Sequence, residues 1–255
     1  MNLNLKDKNV LITGSADGFG KVLAYKFAEE GANVILHARY NEKNAIKIEN
    51  SIQEITQKFG VKAYVVYGEL SCEKDVLDMF NKAISFGDLD VLVNNGAIWP
   101  TAYVQEMTSE DFRKTTEINL VAPFILCREF CNYLVNKKAK GKIINMVSQA
   151  AFNGSTSGHA HYAASKAGLV AFSVSLAREI AKHGINVNCV APGMMRTPMN
   201  KSALDEREDE YLKRIPLGRI ADPEEVAETV LFLSSNKADY ITGATIDVTG
   251  GMLMR

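Results

Sequence analysis

Residues 8–20 read KNVLITGSADGFG. The apolar run Lys8 to Thr13 has the length and composition of a buried strand, and it ends at a glycine. Gly14, Gly18 and Gly20 follow, and from Gly18 to Glu30 the apolar positions Val22, Leu23, Phe27 and Ala28 recur at helical spacing until Gly31 stops them. Strand, glycine-rich turn and helix in direct succession open a βαβ unit. Glycines let the backbone turn sharply and approach a phosphate, while the helix N-terminus offers free N–H groups and partial positive charge. A glycine triplet alone is weak evidence, but its place between the first strand and the first helix is the confirming context for nucleotide binding.

Outward from that turn the pattern alternates. Strands are expected at Asn33–Leu36, Ala63–Tyr67, Leu89–Val93, Lys142–Val147, Ile185–Val190 and Ala244–Val248. Helices are expected at Lys43–Phe59, Glu73–Ser85, Glu110–Asn136, Tyr162–Lys182 and Glu224–Ser234, with Pro123 a possible kink in the third of these. Strict alternation implies an α/β fold, a doubly wound parallel sheet of about seven strands with helices on both faces and right-handed crossovers. Residues 1–255 read as one domain. The charged stretch between Pro192 and Pro223 is the one long irregular region and has the look of a lid, near 193–222, a mobile loop-plus-helix rather than a second domain.

With 255 residues and 47% of them hydrophobic, the chain can bury a sizeable core. A net charge of −1 gives no reason to expect nucleic acid or an anionic membrane as partner. Met1 to Lys8 lacks the apolar run of a signal peptide, and no unbroken apolar segment suggests a membrane span. Cys72, Cys127, Cys131 and Cys189 show no metal-ligand spacing; no metal is expected, and a reducing, cytoplasmic setting is.

The second informative stretch is Ser148–Lys166, SQAAFNGSTSGHAHYAASK. Tyr162 and Lys166 are four apart, so a helix puts them on one face. An ammonium about 5 Å away favours the phenolate by on the order of 3 kcal/mol at an effective dielectric near 20, roughly two pKa units, and burial opposes that shift. A tyrosine brought toward neutrality can pass a proton to or from an alcohol oxygen, and Ser148 could hydrogen-bond the same oxygen. A Tyr-x-x-x-Lys pair alone is more often a solvated helix face.

The end of the second strand bears on which nucleotide binds. A carboxylate there would hold the adenosine ribose hydroxyls, but the chain has His37-Ala38-Arg39, and Arg39 can pair with a 2′-phosphate. NADP(H) is therefore favoured over NAD(H), although Asp17 lies in the glycine loop, where a second cation would have helped.

Together these motifs resemble the short-chain dehydrogenases/reductases over essentially the whole chain. Thr13-Gly14-x-x-x-Gly18-x-Gly20 is similar to that family's cofactor loop, and Asn94-Asn95-Gly96-Ala97 to its Asn-Asn-Ala-Gly motif with the last two residues exchanged. The resemblance implies a Rossmann-type fold, an oxidoreductase interconverting a ketone and a secondary alcohol, and Asn119, Ser148, Tyr162 and Lys166 as catalytic residues. It places cofactor contacts on Gly14, Ser15, Asp17, Gly18, Phe19 and Gly20 of the loop, and on Arg39, Glu69 and Leu70 near the adenine. Toward the nicotinamide it places them on Asn95, Gly96, Tyr162, Lys166, Pro192, Gly193, Met195 and Thr197. Glu69 stands where the family often has aspartate. The ending ITGATIDVTGG resembles the subgroup of 3-oxoacyl-carrier-protein reductases and sugar or polyol dehydrogenases, and the resemblance implies a homotetramer. The loop between Ser148 and Tyr162 is one residue longer than in carrier-protein reductases. Their basic patch falls near Ala139 and His183, leaving only Lys137, Lys138 and Lys140.

An NADPH-dependent ketoreductase of 3-oxoacyl type is thus the leading expectation, with a small-molecule carbonyl or alcohol as substrate. A sugar, polyol or steroid dehydrogenase is the alternative, and a non-catalytic nucleotide sensor the alternative of another class. Trp99, Phe152, Met194 and Met195 are placed to line a substrate pocket. Arg196 could meet an anionic substrate, and His159 and His161 read as loop or helix-start residues rather than a proton relay.

Overall fold

The computed structural model describes residues 2–155 and 157–255; Met1, and Thr156 in the loop before Tyr162, lie outside them. Seven parallel strands form one sheet: β1 Asn9–Ile12, β2 Asn33–Ala38, β3 Ala63–Tyr67, β4 Val91–Asn94, β5 Gly141–Met146, β6 Ile185–Pro192 and β7 Thr245–Val248. Their order is β3-β2-β1-β4-β5-β6-β7. The chain first winds outward from β1 to β3, then returns to β4 on the other side of β1 and winds the opposite way. The C-terminal ends of β1 and β4 therefore flank a crevice, the switch point at which such sheets bind ligands.

Alternation along each strand builds two cores. Val10 and Ile12 of β1, with Val34, Leu36, Val91 and Val93, face helices α1 (Gly18–Glu29), α2 (Glu42–Phe59) and α9 (Pro223–Ser234), where Phe27 and Val230 are fully buried. Leu11, Ile35, Leu92, Ile143 and Val187 face the opposite layer of α3 (Glu73–Ile84), α5 (Ala122–Lys137) and α7 (Ala160–Ile180), where Phe130 is fully buried. Both faces are covered, which is why the strand sequences are apolar almost throughout. Deleting a ring such as Phe27 or Phe130 would cost about 3–5 kcal/mol.

Three elements refine the sequence expectation. The stretch expected as one kinked helix is α4 (Ser109–Thr116), a π turn (Glu117–Val121) and α5 in unbroken succession. Pro123 has no N–H to give the carbonyl four residues earlier, so the ladder must adjust one turn upstream. The run Ser109–Lys137 is long and apolar enough to cross a membrane, but 56% of its apolar window is buried inside the fold. A short helix, α6 (Ala150–Asn153), follows Ser148. The stretch expected as a loop-plus-helix places its helix at α8 (Lys201–Leu212), broken at Arg207 (φ −140°, ψ 27°). Its Leu204 and Tyr211, with Ile215 and Ile220, form a small cluster of their own against Met194.

Candidate active site

The crevice at the switch point is a cavity of about 460 Å³. On one side stands the glycine loop. Gly14 (φ +65°) and Gly18 (φ +54°) occupy the left-handed region, and a Cβ on Gly14 would come within 2.8 Å of the Gly96 backbone. The loop is latched to the end of β4: Thr13 Oγ1 accepts from the N–H groups of Asn95 (2.9 Å) and Gly96 (2.8 Å), and Asn95 Nδ2 donates to the Thr13 carbonyl (2.9 Å). At the start of α1 the N–H groups of Phe19 and Gly20 carry no hydrogen bond among the described residues, and both residues line the cavity. Free donors on a side-chain-free cradle at a helix N-terminus fit a dinucleotide pyrophosphate.

His37 holds this loop from behind, a role the sequence reading missed. Its buried ring accepts from the Gly14 N–H at Nδ1 (3.0 Å) and donates from Nε2 to the Gly68 carbonyl (3.1 Å), and burial pushes its pKa down to about 4. Ser15 is also sealed, its N–H bonded to the His37 carbonyl, so it supports the loop without lining the cavity. The only available signal was a polar aromatic residue ending an otherwise apolar strand.

Asp17 caps α1, accepting from the Gly18 N–H (2.8 Å), and forms an ion pair with Lys47 of α2. Lys47, with the cap, holds the Asp17 carboxyl below the usual range. The cation that the sequence lacked beside Asp17 is thus supplied from 30 residues downstream. Arg39 is 71% exposed and lies 3.8 Å from Glu69. Arg39, Glu69 and Leu70 stand outside the cavity, and Leu70 packs over Gly96.

On the other side α7 delivers the polar group. Ser148, Tyr162 and Lys166 line the same cavity as the glycine loop, with Pro192, Gly193, Met195 and Thr197 beyond the end of β6. Lys166 Nζ donates to the Met146 carbonyl (2.7 Å) and lies 5.8 Å from the centre of the Tyr162 ring. The shared helix face is as the spacing required, but the expected lowering of the tyrosine pKa is reversed. Burial pushes Tyr162 up to about 12 against the hydrogen bond from Ser148, and pulls Lys166 down to about 8. Desolvation outweighs the attraction of an ammonium whose own charge the same burial disfavours.

Asn119 sits on the π turn, behind the cavity rather than on it. Its fully buried amide accepts from the Ile98 N–H (2.9 Å) and donates to the Ile98 carbonyl (3.0 Å) and Ser165 Oγ (3.2 Å). Trp99, His159 and Met194 line the cavity, as do Met199, Tyr211 and Met252, which the sequence reading did not single out. Phe152 does not line it, and Arg196 pairs with Glu208 (2.7 Å). His161 is fully buried on α7, away from the cavity.

A doubly wound sheet with a phosphate-fitting glycine loop facing a Ser-Tyr-Lys cluster, its lysine buried, defines a nucleotide-dependent oxidoreductase. A family profile described as enoyl-(acyl carrier protein) reductase matches residues 14–253. The chain is 37% identical over 253 residues to the 3-oxoacyl-(acyl-carrier-protein) reductase FabG of Aquifex aeolicus, covering 99% of this chain and all of that one. Against the protein of that name from Chlamydia muridarum it is 35% identical over 253 residues, with the same coverage. A crystal structure described as a candidate gluconate dehydrogenase from Agrobacterium tumefaciens superposes with a TM-score of 0.91 at 28% identity, covering 100% of this chain and 99% of that one. The chain belongs to the short-chain dehydrogenase/reductase family, oxidoreductases acting on CH–OH donors with NAD(P) as acceptor.

Proposed function

We propose that this enzyme is an NADPH-dependent ketoreductase of 3-oxoacyl type, in which Tyr162 hands a proton to the substrate oxygen. The observation that carries the reaction is the convergence of Ser148, Tyr162 and Lys166 with the glycine loop on one cavity. The 3-oxoacyl assignment rests on the full-length relatives that bear that name.

The nicotinamide, when bound, supplies the hydride that a ketone carbon takes up. The glycine loop and the free N–H groups of Phe19 and Gly20 hold the pyrophosphate. Tyr162, protonated at neutral pH by its burial, gives its proton to the developing alkoxide. Ser148 hydrogen-bonds and orients that oxygen. Lys166 keeps most of its charge at neutral pH and steadies the phenolate once the proton has left. Because the Asn119 amide is fully engaged, its backbone carbonyl is the group assigned to hold a water that reprotonates the site. Pro123 denies that carbonyl its usual helical donor.

NADPH is assigned over NADH because Arg39, 71% exposed just past β2 and only loosely paired with Glu69 at 3.8 Å, can turn to a 2′-phosphate, because β2 itself ends without a carboxylate, and because Lys47 offsets Asp17. The segment 193–222, with α8 at its centre, acts as the lid. A homotetramer follows from the family and from Phe112 and Phe124, half-exposed on α4 and α5; light scattering at the mass of one 28.0 kDa chain would contradict it. Four free cysteines suit a cytoplasmic location.

A sugar or polyol substrate is the second reading. The gluconate-dehydrogenase neighbour favours it, and so does the weak basic patch, in which Lys137 is already paired with Asp88. Initial rates with NADPH and NADH on a short 3-oxoacyl thioester and a keto-sugar acid separate the two. The first reading expects NADPH and the thioester to win by tenfold or more. Preference for the keto-sugar acid transfers the assignment to the second, and preference for NADH removes the role given to Arg39.

A further inference from the structure

His159 lines the cavity, and this mechanism leaves it idle. It precedes Tyr162 by three residues, at the N-terminal end of α7, and is 5% exposed. Its ring stacks on Trp99, with centroids 4.1 Å apart and planes at 23°, and the edge of Trp99 in turn meets Tyr162 at 6.5 Å. Nδ1 lies 2.8 Å from the Pro100 carbonyl oxygen. A carbonyl only accepts, so Nδ1 carries the proton. Burial, with His161 nearby, lowers the imidazole pKa against the pull of that carbonyl, so at pH 7 the ring is neutral and Nε2 is a bare lone pair.

Nε2 has no hydrogen-bond partner among the described residues. Unlike both ring nitrogens of His161, it is not sealed from solvent, and its residue lines the cavity. Trp99, whose indole N–H donates and does not accept, covers one face of the ring. His159 thus offers the cavity an acceptor locked in its tautomer by Pro100 and in its plane by Trp99, one helical turn from the proton donor.

We propose that His159 determines specificity, its Nε2 accepting a hydrogen bond from a hydroxyl carried within a few carbons of the carbonyl that Tyr162 protonates. Among small ketones, those that carry such a hydroxyl are then favoured over their counterparts without it. This rests on Tyr162 as proton donor and, of the two substrate readings, deepens the second. A 3-oxoacyl thioester has no hydroxyl so close to its ketone, and the amide of a carrier arm lies several bonds further away.

The test compares two ketones that differ in one group, 4-hydroxy-2-butanone and 2-butanone, in wild type, His159→Phe and His159→Gln. Phe keeps a ring to stack on Trp99 and removes both nitrogens, whereas Gln keeps an acceptor. The wild type is expected to favour the hydroxyketone at least tenfold in kcat/KM. His159→Phe should bring the ratio to within twofold, with the change in the hydroxyketone KM, and His159→Gln should keep part of it. A disturbance of the fold would weaken both ketones together and leave the ratio standing. A wild-type ratio near one, or a ratio that survives in His159→Phe, overturns the proposal; if that variant does not fold, His159→Met gives the same reading. Tyr162→Phe, assayed on both ketones, tests the proton donor separately, since turnover that persists there counts against Tyr162 whichever way the ratio falls.

Discussion

At Tyr162 two effects oppose each other, and their magnitudes decide the chemistry. An ammonium one turn away favours the phenolate by on the order of 3 kcal/mol, yet the same apolar surroundings desolvate both groups. Tyr162 therefore rests as an acid with its proton on, ready for the reducing direction. Helical spacing made the pair legible in the sequence, but burial depth is a property of the fold and reversed the sign of the shift. The same divide separates Gly14, legible because a backbone demand fixes the residue type, from His37 and Lys47, whose partners lie 23 and 30 residues away. His37 carries a pH prediction. Its folded pKa of about 4 lies below the ordinary 6.5, so between those values the unfolded chain binds the extra proton. Stability from this group is complete above pH 6.5 and falls as pH drops toward 4. Urea unfolding at pH 7 and pH 4.5 should show the wild type losing about 2–3 kcal/mol more than His37→Gln, whose amide can serve both partners. Equal losses would remove His37 as the acid-sensitive brace of the glycine loop.

Among the elements, the strands and long helices were readable because their apolar periods are long and unmixed. α8 was readable only as a helix somewhere in an irregular stretch, without bounds, since only Leu204 and Tyr211 of its twelve residues are buried and its charges pair along the surface, as in Lys201–Asp205 and Arg207–Glu210. The π turn was half readable. Pro123 announced a defect, but that the defect is a wide turn carrying Asn119 inward depends on what α4 and α5 pack against. As a lid with a small core of its own, α8 should open more readily than the sheet. Tryptic cleavage after Arg207, Lys213 or Arg214 is expected to slow severalfold when NADPH is added. Unchanged cleavage at saturating cofactor would mean that α8 does not close over the site.

Over the whole molecule, alternation of strand and helix dictated a doubly wound sheet, and the reversal of order between β1 and β4 put the glycine loop and α7 on one crevice. The fold thereby brings the glycine loop and Ser148, Tyr162 and Lys166 to one cavity, with Trp99 and His159 on its wall. The most direct test of that arrangement is Tyr162→Phe, with turnover and NADPH affinity measured on the same preparation. The expected result is a fall in kcat of at least a hundredfold with the cofactor Kd within twofold of wild type, the cost of losing one proton donor from an intact site. A phenylalanine variant that reduces ketones at the wild-type rate would contradict the account.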